Sequence, residues 1–155
     1  MGYTNYWNNE EPIDLTNAAP AIQELLEMGM ERGILAGADG QGSPVFDGRI
    51  LVFNGCGDAA YETFAITPEQ TGFQFTKTAQ RPYDAYVKAA LILIQSHSDD
   101  PDQIRIACDG RTSDWDEAAD LVGLISNISL CDVMISDSVL SRVELEHLAA
   151  SLTTD

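Results

Sequence analysis

The chain has 155 residues, of which 45% are apolar and 21% are charged, and these values predict one globular domain spanning residues 1–155. It carries 25 acidic and 8 basic residues, for a formal net charge of −17. Binding to a nucleic-acid backbone is not expected, because that contact needs clustered Lys and Arg. The longest apolar run, residues 89–94, is far shorter than the ~20 residues of a membrane span, so no membrane partner is expected.

The acidic residues are spread along the whole chain, and only two of the basic residues are lysine, Lys77 and Lys88. A charge of this size causes self-repulsion at low ionic strength, whereas molar salt shortens the Debye length to about 3 Å and screens it. Few lysines and many aspartates resemble the composition of proteins from haloarchaea and their viruses. The alternative is an acidic mimic of nucleic acid, which would concentrate its charge on one face. The halophile interpretation predicts a salt-rich cytoplasm, with the virion as a second location.

Cysteine and histidine are scarce and are not paired in the sequence. Cys56, Cys108 and Cys131 are odd in number and lack CxxC spacing, which predicts reduced thiols. The two histidines, His97 and His147, have no ligand-like spacing either. The sequence therefore predicts no metal site and no cofactor.

The N-terminal half contains four predicted strands and one predicted helix. Aromatic and β-branched residues between turn residues predict strands at residues 3–7, 50–54, 61–66 and 73–77. Apolar spacing predicts a helix at 17–32 that ends at Gly33. The Gly-rich stretch 37–44 predicts a long surface loop.

The C-terminal half alternates between predicted helices and strands. Strands are predicted at 104–108 and 132–135. Helices are predicted from Pro82 to about His97, from a capping box at Ser113 and Asp116, and from Asp137 or Ser138. Strand–helix alternation favours parallel neighbours, whereas the earlier strands have hairpin-length turns. The sequence therefore predicts an α/β or α+β domain, with a mixed sheet of five or six strands and about four flanking helices.

Two strings of residues resemble an uncharacterised protein family of bacteria and tailed viruses. The chain opens with Gly-Tyr-Thr-Asn-Tyr-Trp, and residues 77–84 read Lys-Thr-Ala-Gln-Arg-Pro-Tyr-Asp. The family opens with a Gly-Tyr-Thr-His-Tyr-Trp-like string and carries a Cys-Lys-Thr-Ala string before a similar Pro-Tyr-Asp. Asn5 therefore stands where the family has histidine, and Thr76 where it has cysteine. The resemblance implies relatives and no particular activity.

Five candidate ligand-binding residues lie at one predicted strand-to-helix turn: Lys77, Thr78, Arg81, Tyr83 and Asp84. Backbone N–H groups and the positive end of the helix dipole at such a turn can bind a phosphate or a carboxylate. The alternative is a structural ion pair of Asp84 with Lys77 or Arg81, with Tyr83 packed on the sheet.

Asp109 and Asp137 each follow a predicted strand directly. If these strands are parallel neighbours, both carboxylates lie at the carboxyl edge of the sheet, where open α/β sheets bind ligands. Two carboxylates there could hold Mg²⁺ for phosphoryl chemistry. In the alternative, Asp109 shapes a turn and Asp137 caps a helix. The crossover also predicts that Lys77 lies near Asp109, within ~10 Å if one strand separates them.

Tyr3, Tyr6 and Trp7 form an aromatic cluster and a candidate interaction surface. Alternation along a strand sends Tyr3 and Trp7 to one face and Tyr6 to the other. Simple core packing is the alternative.

Three functions are compatible with these observations. The first is an accessory or interaction protein of a halophilic archaeon or its tailed virus, acting through a protein partner or self-association. The second is a small enzyme or ligand-binding protein for a phosphate- or carboxylate-bearing molecule, for which Mg²⁺ is the one cofactor considered. The third is a structural component of a virus particle.

Overall fold

The computed structural model describes residues 2–125, and this part of the chain is α+β, as predicted. It contains seven strands and three α-helices. The predicted strand at 132–135, the helix from Asp137 or Ser138, and the residues Cys131 and His147 lie outside the described residues. Within residues 2–125, no helix combines the length and the apolar composition that crossing a membrane requires.

Strand β1, Thr4–Asn9, is the centre of a three-stranded sheet. It pairs antiparallel with β6, Gly72–Lys77, on one side and with β7, Ile104–Cys108, on the other. β6 and β7 therefore run parallel to each other with β1 between them. Helix α2, Asp84–Ser96, provides the crossover from β6 to β7.

Strand β4, Leu51–Gly55, is the centre of a second sheet. Its partners are β2, Leu35–Ala36, β3, Val45–Phe46, and β5, Phe64–Ile66, all antiparallel. The single mixed sheet predicted from the sequence is wrong for the described strands, which form two antiparallel sheets. In the first sheet the predicted parallel pairing of β6 with β7 does not form, because β1 lies between these two strands, which α2 connects.

Several element boundaries differ from the prediction for local reasons. The strand predicted at 61–66 is shorter, because the Asn54 side chain takes both backbone groups of Tyr61, at 3.0 Å each. The capping box predicted at Ser113 is wrong. Ser113 lies in a 3₁₀ turn, and the buried Trp115 precedes helix α3, Asp116–Gly123, without a side-chain cap.

Helix α1, Ala19–Glu31, packs closely against the second sheet. Gly29 allows this approach, because a Cβ at that position would lie 2.4 Å from the Leu35 side chain. Gly33 follows the helix with a φ of 70°, the left-handed conformation expected after a helix end.

Helix α2 is the core of the molecule. Every residue from Ala85 to Ile94 is buried, as predicted from apolar positions around its circumference. The two sheets meet nearby through aromatic rings: Phe64 packs against Trp7 at 5.2 Å and against Phe53 at 5.0 Å between ring centroids. The first turns of α2 carry a charged residue, Lys88, into this core.

Candidate functional site

A buried ion pair joins Asp84 and Lys88 at the start of α2. The Lys88 ammonium lies 2.5 Å from Asp84 Oδ2, and the four-residue spacing places both side chains on the same face of the helix. Asp84 Oδ1 accepts from Asn5 Nδ2 at 2.7 Å and from the Thr78 hydroxyl at 2.5 Å. Three donors thus fix the carboxylate, which is the preorganisation typical of buried polar networks.

Lys88 is fully buried, so its charge needs partners inside the protein. Besides Asp84, two aromatic rings lie near the ammonium. The Tyr3 ring centroid is 4.4 Å away and that of Trp115 is 5.6 Å away. Both distances fit a cation–π contact, which is stronger in a desolvated site.

Tyr3 extends this network towards Asp114. Its hydroxyl donates to Asp114 Oδ2 at 3.0 Å. Burial, together with the neighbouring Cys108, Asp84 and Asp114 groups, raises the pKa of Tyr3 far above its ordinary value, so the hydroxyl remains a donor. Gly110 makes the contact possible, because a Cβ there would lie 1.6 Å from Asp114 Oδ2.

A cleft of about 520 Å³ opens beside this network, between the ends of α1, α2 and α3. Its lining includes four carboxylates and two guanidinium groups: Asp84, Asp114, Asp116, Glu117, Arg32 and Arg81. The turn from β6 to α2 forms part of the wall. Ala79 and Gln80 in this turn have φ values of 54° and 56°, a conformation that non-glycine residues adopt at a cost. Strain of this kind is concentrated at binding and catalytic sites.

The predicted turn residues divide between two faces of the sheet. The buried Thr78 donates to Asp84, which lines the cleft, and Tyr83 is buried next to Asp84 in the chain, with its hydroxyl donating to the Glu62 carbonyl at 2.6 Å. Arg81 lines the cleft and donates to the Asp58 carbonyl at 2.8 Å.

The alternative ion pair of Asp84 with Lys77 or Arg81 is wrong, because Asp84 pairs with Lys88. Strand alternation explains the position of Lys77, which is exposed, whereas Thr76 and Thr78 are buried.

One strand, β1, separates Lys77 from Asp109, as in the second of the two predicted arrangements, but the predicted shared site is wrong. Both residues flank Thr4, but they lie on opposite edges of the three-stranded sheet. The Asp109 carboxylate accepts from the Thr4 backbone N–H at 3.0 Å and from the Tyr6 hydroxyl at 2.5 Å. The second candidate carboxylate, Asp137, lies outside the described residues. Within residues 2–125, His, Cys, Asp and Glu form no group of three suited to hold a metal ion.

The face of the three-stranded sheet opposite α2 carries three aromatic side chains: Tyr6, Phe73 and Phe75. We call this surface the open face. Phe73 and Phe75 are 49% and 51% exposed. The Phe73 ring stacks on Tyr6 at 5.7 Å and lies 6.1 Å from Phe75. Tyr3 and Trp7, on the other face of β1, are buried, so Tyr6 alone of the three predicted interaction residues lies on this surface.

The sequence analysis did not identify some residues of the Asp84–Lys88 network and of the open face. Lys88 and Asp84 have the spacing of a helical ion pair, and this signal was present in the sequence. Phe73 and Phe75 alternate along their strand, but alternation does not say which face a helix covers. No local pattern in the sequence indicates that Asn5 bonds to Asp84.

Asn5 and Thr76 are direct cross-strand partners, and both are buried. Asn5 Nδ2 donates to Asp84, while its Oδ1 has no hydrogen-bond partner among residues 2–125. Asn5 therefore belongs to the network below the cleft, and Thr76 is its neighbour on β6.

No family model matches this chain, and neither a curated protein nor a solved structure matches it. Two features of the molecule are candidates for binding, the open face and the cleft beside Asp84.

Proposed function

We propose that the protein is an accessory protein that binds another protein chain through the open face. The observation that carries this proposal is the stacked group of Tyr6, Phe73 and Phe75, of which the two phenylalanines are half exposed. Aromatic residues are enriched in protein interfaces, and contiguous apolar patches mark contact sites. Both a halophilic cell and a virus particle offer a setting for such a protein.

Charge supports the same surface. β6, Gly72–Lys77, carries the basic residue Lys77 and no acidic residue, in a chain with a net charge of −17, while Asp109 lies beside Tyr6 and Glu62 beside Lys77. A partner that approaches along β6 therefore meets less negative charge than elsewhere. Such a surface reduces like-charge repulsion, which otherwise opposes association.

The test compares two double variants in molar KCl. Phe73→Ser with Phe75→Ser removes the exposed rings of the open face, whereas Val45→Ser with Tyr61→Ser removes two equally exposed apolar side chains elsewhere. Truncating one interface hot spot costs ~2 kcal/mol, roughly thirty-fold in affinity. We expect the first variant to lose at least that factor for any partner, including a second copy, and the control to bind like wild type.

A partner is identified by mass spectrometry and its dissociation constant is then measured with purified protein. Equal affinities of the two variants would contradict the proposal.

A second candidate function is the binding of a small phosphate- or carboxylate-bearing molecule in the cleft. The strained turn at Ala79 and Gln80 and the fixed carboxylate of Asp84 favour it, since both lie in the cleft wall. Arg32 and Arg81 are the groups in the lining that attract an anion. The four carboxylates would select against a bare anion and favour one that also carries a cationic or hydroxyl group.

Thermal unfolding in phosphoethanolamine, which carries both a phosphate and an ammonium group, tests this candidate, and inorganic phosphate serves as the bare-anion comparison. A ligand present at a hundred times its dissociation constant stabilises by about 2.7 kcal/mol, which is a shift of several degrees. We expect a saturable rise in the melting temperature for wild type that Arg81→Gln loses. Arg49→Gln, an exposed arginine away from the cleft, controls for general effects of the salt. Identical shifts in all three proteins would show that the ions act on the whole surface and not in the cleft.

A further inference from the structure

We propose that β6 pairs antiparallel with β6 of a second copy, so that two three-stranded sheets join into one six-stranded sheet. This inference rests on the proposed function, since it names the partner of the open face. It starts from the position of β6, which is an edge strand with β1 as its one strand neighbour in the described residues.

The outer edge of β6 has free backbone groups. Lys77 turns its backbone away from β1: its N–H donates to Glu62 Oε1 at 2.8 Å, and its carbonyl accepts from the Glu62 N–H at 3.1 Å. Thr78, the next residue, donates its N–H to the Tyr3 carbonyl on the β1 side. Because this direction alternates along an antiparallel strand, Phe73 and Phe75 also turn their N–H and C=O groups outwards. No hydrogen bond of these groups to another part of the described chain occurs.

The sequence of β6 is symmetric about Gln74, since it reads Phe-Gln-Phe from residue 73 to residue 75. A two-fold axis through Gln74, perpendicular to the sheet, places Phe73 opposite Phe75 of the second copy, and Phe75 opposite its Phe73. Each pair would exchange two backbone hydrogen bonds, as residues with outward-facing groups do in an antiparallel ladder. An isologous contact requires this self-complementarity, which an unrelated partner strand does not need.

The same axis brings the open faces of both copies to one side of the joined sheet. The four phenylalanine rings would then lie as cross-strand neighbours and extend the stacked rings of Tyr6 into a continuous aromatic band. Glu62 occupies the edge at Lys77, so the pairing is confined to the middle of the strand.

Electrostatics favours this approach between two strongly acidic chains. The pairing strand, Gly72–Lys77, carries one positive charge, that of Lys77, and no negative one, and Glu62 lies beside its Lys77 end. A contact through a carboxylate-rich surface, such as the cleft lined by Asp99, Asp100 and Asp102, would bring acidic groups together, which costs energy that salt only partly screens.

The experiment measures self-association and a crosslink at the axis. By this geometry the two Gln74 residues form a non-hydrogen-bonded pair with Cα atoms ~4.5 Å apart, a distance that permits a disulfide. Gln74→Cys in a Cys56→Ser background should therefore form a covalent dimer on mild oxidation. Arg105→Cys in the same background is the control, because it lies exposed on the opposite edge strand.

Sedimentation equilibrium in molar KCl should give a dimer for wild type and a monomer for the Phe73→Ser, Phe75→Ser variant. A wild-type monomer at every concentration, or a Gln74→Cys protein that crosslinks no better than Arg105→Cys, would overturn the inference. If the wild type is a monomer that binds a different protein through Phe73 and Phe75, the inference fails and the proposed function stands. If neither association depends on these residues, both fail.

Discussion

Replacing Lys88 with methionine is expected to lower the free energy of unfolding by about 3–5 kcal/mol, the usual cost of leaving one partner of a buried ion pair alone. Methionine fills a similar volume, so the loss comes from the charge and not from a cavity. Asp84 would keep its bonds from Asn5 and Thr78 but lose its counter-charge in a side chain that is only 15% exposed. Urea unfolding at constant molar KCl measures the change.

Lys77→Met is the matched control for this experiment. It removes the other lysine of the chain from an exposed position, where substitutions usually change stability by less than about 0.5 kcal/mol. Removing both buried charges, with Asp84→Asn and Lys88→Met, should restore part of the loss, because no uncompensated charge remains. Equal unfolding midpoints for Lys88→Met and Lys77→Met would show that the pair does not stabilise the fold.

Long elements with strong periodicity were predictable from the sequence. Helices α1 and α2 and strands β6 and β7 lie within two residues of their predicted bounds. Each has enough residues for apolar spacing to give a clear period. The two-residue strands β2 and β3 were missed because two residues cannot show a period, and their pairing with β4 depends on contacts distant in sequence.

The order of strands in the first sheet was not predictable by the same reasoning. The crossover from β6 to β7 correctly implied that they run parallel, but the position between them is taken by β1, from the other end of the sequence. No local signal in residues 4–9 indicates this placement. This placement of β1 prevents Lys77 and Asp109 from sharing a site, because Thr4 of β1 separates the two residues.

The site was partly predictable for a related reason. Thr78 and Asp84 are predictable as ligand-binding candidates because they flank a strand-to-helix turn, and this turn does form one wall of the cleft. The partner of Asp84 was mistaken, because Lys77 and Arg81 are nearer in sequence to the turn, whereas the helix period favours Lys88. Sequence patterns treat a lysine in an apolar helix as exposed, since buried lysines are rare.

Transfer from molar to millimolar KCl is expected to remove most of the free energy of unfolding, which for native domains is about 5–15 kcal/mol. The net charge of −17 is the general cause, and one acidic cluster concentrates it. A cleft of about 760 Å³ lies beside the ends of β1 and α2. Among the described residues, its lining contains one basic residue, Arg105, and five carboxylates: Glu10, Glu11, Asp99, Asp100 and Asp102. At molar salt the Debye length of about 3 Å screens their repulsion, and at millimolar salt it does not. Circular dichroism across a KCl series measures the midpoint of folding.

Neutralising part of this acidic cluster should move that midpoint to lower KCl. We expect the largest shift from Glu11→Gln, Asp99→Asn and Asp102→Asn together, all exposed positions whose carboxylates make no ion pair within residues 2–125. The control neutralises three exposed acids that lie apart in the sequence, Glu31, Asp58 and Glu69, and should shift the midpoint less because their mutual repulsion is weaker. The same series in sucrose separates charge screening from general exclusion effects, since sucrose adds no ions. A protein that keeps its full stability in millimolar KCl would contradict the role assigned to its charge, and with it the proposal of a high-salt environment.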